Sequence, residues 1–436
     1  IVSGQHRYLV GEDLFMTSPA YYSGYRAQEA SFVQPTTTAS LASDYRVRLS
    51  NAGIKFDVDY HHSVSHELTG GIQASVLRFE STLDSELQRS RSAVARRAQA
   101  TDVRAVKVAG YLQDTWTPTP SWTVEPGLRA SYFGGGPHMH LAPRINAQYV
   151  VDPRWLVLEG SAGVHVQYLH RLRDRYSLAY DLVSSRWVPS STRVEPAMSG
   201  QVGLGTYTQL RPGWSLEVDA YLRGTRHTLV PADVFQEKEG IEGPGIEVGA
   251  LLGQYTAGAE RAFGVEVSTL IEHGPWRARF AVSGGRTFVQ AQARTSTGER
   301  WRPSSLDVPV SVRSILGWDG GAWSATVAAE MRSGYPVTVP EARYRLGDPT
   351  AAEPTAYLYR PEINNGRLPP YLRLDLTVRY EFQFLSTDWA ASLDVFNLTN
   401  RDNILDQTYR PTDTGVNVDR QRGLPIVPLL EVKMEL

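Results

Sequence analysis

Cysteine is absent from this 436-residue chain. That removes disulfides, thiol nucleophiles and Cys-based zinc sites together. Long apolar runs are missing too. Mean hydropathy is −0.30, and no window approaches the ~18–20 apolar residues of a spanning helix. A helical membrane protein is thereby excluded. A spanning β-barrel is not, because only every second residue of its strands faces lipid. Charge of one sign is also lacking: Lys+Arg number 44 against 46 Asp+Glu, a net charge of −2. Bulk electrostatics therefore implies no nucleic acid or other polyanionic partner. No hydrolase triad, phosphate loop or metal motif stands out, so neither enzyme activity nor a cofactor is expected. The chain opens at Ile1 with no Met and no signal peptide, which leads us to expect further sequence upstream.

Aromatic residues and glycine are what the chain has in quantity, with 37 Gly, 22 Tyr, 12 Phe and 10 Trp. Eight of the tryptophans sit beside short turns. Trp122, Trp155, Trp214, Trp276, Trp323 and Trp389 open the strand after a turn, and Trp116 and Trp318 close the strand before one. Indole has an apolar body and one polar edge, so it favours the boundary between hydrocarbon and water. A row of such rings at one end of a set of hairpins marks one interface of a membrane barrel.

The strands alternate. Leu216, Val218, Ala220 and Leu222 oppose Glu217, Asp219, Tyr221 and Arg223, and Leu372, Leu374, Leu376 and Val378 oppose Arg373, Asp375, Thr377 and Arg379. Period two over such lengths is a strand signal. It predicts fifteen strands: 44–61, 66–80, 104–116, 122–133, 140–151, 155–169, 197–210, 214–228, 257–272, 276–289, 305–318, 323–334, 370–383, 389–399 and 426–436, with a weak sixteenth around Arg7–Leu14. Short connections alternate with long ones at 81–103, 170–196, 229–256, 290–304, 335–369 and 400–425, with 134–139 as the one compact member of the second set. Transmembrane barrels have this asymmetry, with tight periplasmic turns and large extracellular loops. The tryptophans then form a periplasmic girdle, and the C-terminus is periplasmic. The expected fold is all-β, a single transmembrane antiparallel β-barrel domain over 1–436. A soluble propeller or sandwich is the other reading, but the hairpins lack a regular repeat.

Six segments resemble one family, the TonB-dependent outer-membrane receptors. They are Gly110-Tyr111-Leu112-Gln113-Asp114-Thr115-Trp116, Val124–Tyr132, Ala142-Pro143-Arg144-Ile145, Arg261-Ala262-Phe263-Gly264-Val265-Glu266, Gly366–Asp375 with its Arg367-Leu368-Pro369-Pro370-Tyr371 core, and Leu393–Arg401. Their order and spacing match the family over about residues 44–436. The resemblance implies a barrel of twenty-two strands around an N-terminal plug whose TonB box couples uptake to the proton-motive force. This chain has neither plug nor TonB box, carries fifteen or sixteen of those strands, and ends in Leu436 where an aromatic residue is usual. The implied setting is the outer membrane of a Gram-negative (diderm) bacterium.

Candidate residues follow. Arg171, Arg173 and Arg175 form a basic loop, as do Arg89, Arg91, Arg96 and Arg97. Either cluster suits lipopolysaccharide phosphates or an anionic chelate, and solvated loop charge is the plainer reading. Tyr335, Tyr344, Tyr357 and Tyr359 in the longest loop are ligand-contact candidates by analogy. Glu217, Asp219, Arg223, Arg277, Arg279, Glu330, Arg332, Arg373, Asp375, Arg379 and Glu381 are expected to face the lumen, holding a plug or lining water. His138, His140, His165 and His170 could ligate a metal, but no fourth ligand is fixed by spacing, so no metal site is assigned. The acidic loop of Glu237, Glu239, Glu242 and Glu247 lacks calcium-loop spacing. The function expected is import of a large, scarce solute (a metal chelate, glycan or peptide), with TonB acting through a plug outside this chain. Lipid, lipopolysaccharide and a surface lipoprotein or other outer-membrane subunit are the partners considered. The alternatives are a plugless scaffolding barrel and a passive porin.

Overall fold

The computed structural model describes residues 1–11, 13–36, 39–89, 93–136, 138–173, 185–231, 255–291, 300–346, 355–359, 363–412 and 414–435. Seventeen long strands form one continuous antiparallel ladder. They are β1 (Val2–Val10), β2 (Leu14–Thr36), β3 (Ala39–Ser63), β4 (His66–Arg89), β5 (Ala93–Thr119), β6 (Trp122–Phe133), β7 (His138–Asp152), β8 (Leu156–Gln167), β9 (Ala197–Arg211), β10 (Trp214–Pro231), β11 (Tyr255–His273), β12 (Trp276–Ala291), β13 (Val310–Asp319), β14 (Trp323–Arg332), β15 (Tyr371–Phe384), β16 (Thr387–Phe396) and β17 (Val427–Glu435). Each pairs with its sequence neighbour.

The fifteen expected strands are all present, and two more precede them. Val2–Val10 and Leu14–Thr36 pair with each other, so Arg7–Leu14 covers the end of one strand and the start of the next. The sequence hid them because Pro19, Gly24 and Pro35 interrupt the pattern, and proline demotes a strand in any single-sequence reading. Residues 81–89 and 93–103 are strand as well, where a loop was expected. β4 and β5 pair from His66↔Trp116 to Arg89↔Ala93 without a break.

Short turns gather at one end, and the other end carries the long connections at 168–196, 232–254, 292–309, 333–370 and 397–426 beside the brief links between β2 and β3, β4 and β5, and β6 and β7. The turn end carries the links at 11–13, 64–65, 120–121, 153–155, 212–213, 274–275, 320–322 and 385–386. Gly213 has φ +76°, and a Cβ there would lie 2.4 Å from the Glu272 carbonyl oxygen, so only glycine fits. Leu385 and Ser386 both adopt left-handed φ, 51° and 62°, the geometry of a two-residue hairpin turn that matches sheet twist.

The eight tryptophans lie at the turn end. Cross-strand register sets Trp276 opposite Trp318, Trp323 opposite Tyr380 and Trp389 opposite Phe382. Ring centroids are 6.4 Å apart for Trp276–Trp318, 4.5 Å for Trp323–Tyr380 and 6.4 Å for Phe382–Trp389. Trp122 stacks on Tyr149 at 4.6 Å, and Trp116 stacks on His66 at 6.0 Å. The Trp214 indole donates to Thr269 Oγ1 at 2.9 Å.

Within the ladder one face is apolar and exposed. Ile54, Ile72, Val76, Val106, Val108, Leu112, Leu204, Leu222, Phe263 and Val265 all project from it. The other face is polar. On β2–β5 this arrangement reverses toward the loop end. Tyr45, Val47 and Phe79 are buried on the formerly polar face, packed with Ala27, Leu49, Val103 and Trp187. Arg46, Arg48, Arg78 and Arg104 take the outer one. Trp187 belongs to a small hairpin, Leu169–Arg173 with Ser185–Pro189, laid against this wall.

Candidate functional site: the polar face and the loop-end mouth

The polar face is built by alternation. Because successive strand residues point to opposite sides, each apolar outward residue fixes a polar inward neighbour. On β2–β7 the inward residues are tied by side-chain hydrogen bonds across the strands. Lys55 Nζ lies 2.8 Å from Asp57, and the Tyr111 hydroxyl donates to the same carboxylate. Arg129 donates to Gln73 Oε1 at 2.9 Å, Gln73 donates to the Tyr21 hydroxyl at 3.3 Å, and Asn51 donates to that hydroxyl at 3.3 Å. Arg144 donates to Gln113. The site residues drawn from sequence did not include this network. Its signal was present in the alternate positions Asn51, Lys55, Asp57 and Asp59.

The charged ladder expected on β10–β15 does face this side. Glu330 sits in one cross-strand row between Arg313 and Arg373, at 3.7 and 3.8 Å. Arg373 also reaches Asp375 at 3.0 Å, and Asp375 accepts from the Asn397 amide at 2.9 Å. Arg379 pairs with Glu381 at 3.0 Å, Arg223 with Glu260 at 2.9 Å and Arg277 with Glu272 at 2.8 Å. Glu217 accepts from Ser268 at 3.1 Å. Arg332 stacks between Tyr335 and Tyr371, at 4.3 and 4.6 Å. Asp219 and Arg279 lie on the same face but join no ion pair among the described residues. Solvent-exposed pairs of this kind contribute about 0–1 kcal/mol each. They set the character of the surface, while the backbone ladder holds the wall.

At the loop end two loops are clasped together. Asp307 is fully buried and accepts from Arg367 Nη2 at 2.7 Å, from the Thr287 amide at 2.7 Å and from Arg286 Nε at 3.2 Å. Arg367 also donates to the carbonyls of Asp307 and Gly334, both at 2.7 Å. Sequence reading quoted Arg367 as part of a motif and gave it no role; its role is to tie the 300–309 and 333–370 connections to β12. Asn397, also quoted from a motif, is 1 % exposed. It donates to the carbonyls of Arg401 and Leu424, both at 3.0 Å, and so knots the top of β16.

His138 and His140 have ring centroids 6.2 Å apart at the mouth, and His165 lies on β8 opposite Ser199. His138 Nε2 donates to the Ser191 carbonyl at 2.9 Å and His170 Nε2 to the Glu195 carbonyl at 3.1 Å. The Tyr168 hydroxyl lies 3.3 Å from His140 Nδ1. These nitrogens are already engaged, and among the described residues no metal-binding group of three or more gathers. Burial of His170, only partly offset by its bond to the Glu195 carbonyl, pushes its pKa below the ordinary value.

Of the loop tyrosines, register sets Tyr344 opposite Tyr357 and Tyr359 opposite Ala342 on the hairpin Ala342–Leu346 with Thr355–Tyr359. Tyr335 sits apart, at the base of the loop. The side chains of Tyr357, Tyr359, Arg89, Arg96, Arg97, Arg171 and Arg173 lie outside the described residues, as do all of Arg91, Arg175, Glu237, Glu239, Glu242 and Glu247.

The family profile of the TonB-dependent receptor-like β-barrel matches residues 3–398. The chain belongs to this family. TonB-dependent receptor barrels are integral outer-membrane proteins of Gram-negative bacteria, and the family consists of transporters and receptors. The solved structures agree on the fold. The pyoverdine outer-membrane receptor FpvA from Pseudomonas aeruginosa PAO1, bound to pyoverdine, matches with a TM-score of 0.62 at 12% identity, covering 100% of this chain and 60% of that one. The ferric-catecholate import receptor Fiu from E. coli K12 matches with a TM-score of 0.61 at 12% identity over 99% and 63%. The unliganded ferric citrate transporter FecA matches with a TM-score of 0.60 at 12% identity over 99% and 60%. The chain therefore spans less than two thirds of the length of these receptors. No curated protein matches the sequence.

Proposed function

We propose that this chain forms the wall and loop-end mouth of an outer-membrane importer for a solute too large for passive pores, such as a metal chelate, a glycan or a peptide. The observation that carries this reading is the pairing of an exposed apolar outer face with a continuous charged inner face, opening into a clasped loop layer. The loop end is extracellular in this reading. The tryptophan girdle and the C-terminus are then periplasmic, as the turn–loop asymmetry supports. Tyr335, Tyr344, Tyr357 and Tyr359, with Arg171, Arg173 and Arg175, contact the incoming solute. The inward ladder from Glu217 to Glu381 holds a plug, through which TonB supplies the energy. A surface lipoprotein or another outer-membrane subunit is a further partner of the loop end.

The strand count supports the same reading. β1 and β17 run in the same direction, since seventeen is odd, and among the described residues they do not pair. Unpaired backbone groups in lipid cost several kcal/mol each, so in the intact molecule both edges meet further strands. Osmotic swelling of vesicles holding the full-length protein tests the proposal. A plugged importer leaves the vesicles closed to a small sugar; swelling at a porin's rate would favour the passive-pore reading.

A further inference from the structure

The reversal of faces on β2–β5 locates a boundary. Outward residues on β5 are apolar from Leu112 up to Val106, and the next two are Arg104 and Asp102. On β4 the change falls between Val76 and Arg78, and on β3 between Ala52 and Arg48. From the girdle Trp116, past Asp114, which His66 engages at 2.8 Å beside the girdle, to Val106 is ten residues, about 33 Å along the strand. At the usual tilt of ~40° this is a height of about 25 Å, the apolar band of an outer-membrane barrel. The outward residues just beyond Val106 and Val76 therefore stand where the headgroups of the loop-side leaflet begin.

Five arginines occupy those rows: Arg26, Arg46, Arg48, Arg78 and Arg104, all exposed. Arg26 is directly opposite Arg48, and Arg78 is directly opposite Arg104. Like charges directly opposite destabilise a sheet. The carboxylates on this face only partly offset them. Glu80 contacts Arg78 and lies 3.9 Å from Arg48, and Asp44 contacts Arg46. Asp102 lies two residues from Arg104 on the same face, and Asp84 and Glu86 lie farther from the band. Among the described residues Arg26 and Arg104 have no carboxylate within ion-pair distance. Two repelling pairs side by side, against an apolar band, call for an external anion with an apolar body.

We propose that the outer face of β2–β5 binds the phosphate groups of an outer-leaflet glycolipid, with Arg26, Arg48, Arg78 and Arg104 as the phosphate ligands and Tyr22, Val76 and Val106 beneath them against its acyl chains. Guanidinium suits this role because it grips phosphate through paired N–H donors and keeps its charge. The face lies opposite the inner side, where Tyr45, Val47 and Phe79 pack against Trp187, so the site is separate from the solute path. It rests on the outer-membrane, loops-outward reading given above.

The test titrates the full-length protein in detergent with bis-phosphorylated lipid A, with dephosphorylated lipid A and with inorganic phosphate. The phosphorylated lipid is expected to bind at least about tenfold more tightly than the dephosphorylated form. The double variant Arg78→Gln/Arg104→Gln should lose about tenfold in lipid A affinity while heat-modifiable gel mobility reports an intact barrel. If that variant fails to fold, Arg26→Gln at the other like-charge pair gives the same readout. Equal affinity for the two lipids, or unchanged affinity in the variants, overturns the proposal. Inorganic phosphate competing at equal concentration would make this a free-anion site. Loss of a co-purifying protein, with lipid A binding intact, would assign the patch to a protein partner. Density-gradient fractionation tests the placement separately: protein outside the outer-membrane fraction sinks the underlying reading, whereas correct fractionation with unchanged lipid A affinity sinks only the phosphate site.

Discussion

Asp307 shows how a single residue organises the mouth. It is buried, it accepts from two arginines and a backbone amide, and the segment it belongs to has no long strand of its own between 300 and 309. Asp307→Asn keeps the volume and removes the charge. We expect a local loss of about 1–3 kcal/mol, seen as faster amide exchange at 300–309 and 363–369 with the strands unchanged. His170 adds a pH dependence. Its pKa is lowered by burial, so the folded form binds fewer protons than the unfolded one, and the stability it contributes is held above the ordinary value of 6.5 and declines as pH falls below it. The groups facing it are the Glu195 carbonyl and the Ser190 hydroxyl, with the His227–Glu195 pair nearby. Amide protection factors across 187–196, corrected for the intrinsic pH dependence of exchange, should therefore fall between pH 7.5 and 5.5, and a His170→Gln variant should lose that pH response. At the Leu385-Ser386 turn, Ser386→Gly relieves a left-handed residue, a cost of about 1–2 kcal/mol, and after glycine's entropic cost of about 0.5–1 kcal/mol should leave a net gain of up to about 1 kcal/mol, measured by urea titration.

Strands are where the sequence was most and least legible. Between Trp214 and Arg223 the alternation is clean because one side meets hydrocarbon and the other water, and the predicted strand matches β10 closely. Val218→Arg on the outward face, four residues above the girdle Trp214, should cost about 2–4 kcal/mol near mid-bilayer, whereas Arg223→Leu on the inward face should change stability far less. Folding into vesicles under a urea series checks both. Past the bilayer the rule changes. Tyr45, Val47 and Phe79 turn inward against Trp187, and Arg46, Arg48 and Arg78 turn outward. The period stays two but its phase flips, so a reading that follows the apolar residues loses the strand at the boundary. That is why 81–103 read as a loop. The candidate site was legible only in part for a related reason. Alternation marks which residues face inward, but Arg367 reaching Asp307 across 60 residues leaves no periodic trace.

On the scale of the whole molecule, seventeen strands with one apolar face, an aromatic ring at the turn end and a polar interior make a wall between lipid and water. The absence of cysteine makes that claim directly testable. Single cysteines introduced at successive positions from 216 to 223 can each carry a spin label in the full-length protein reconstituted in lipid. The account predicts strict alternation: labels at 216, 218, 220 and 222 relax with oxygen dissolved in the bilayer, and labels at 217, 219, 221 and 223 relax with a water-soluble nickel chelate. Equal access of the chelate to both sets would mean a sheet wetted on both faces, and the membrane-wall account would be wrong.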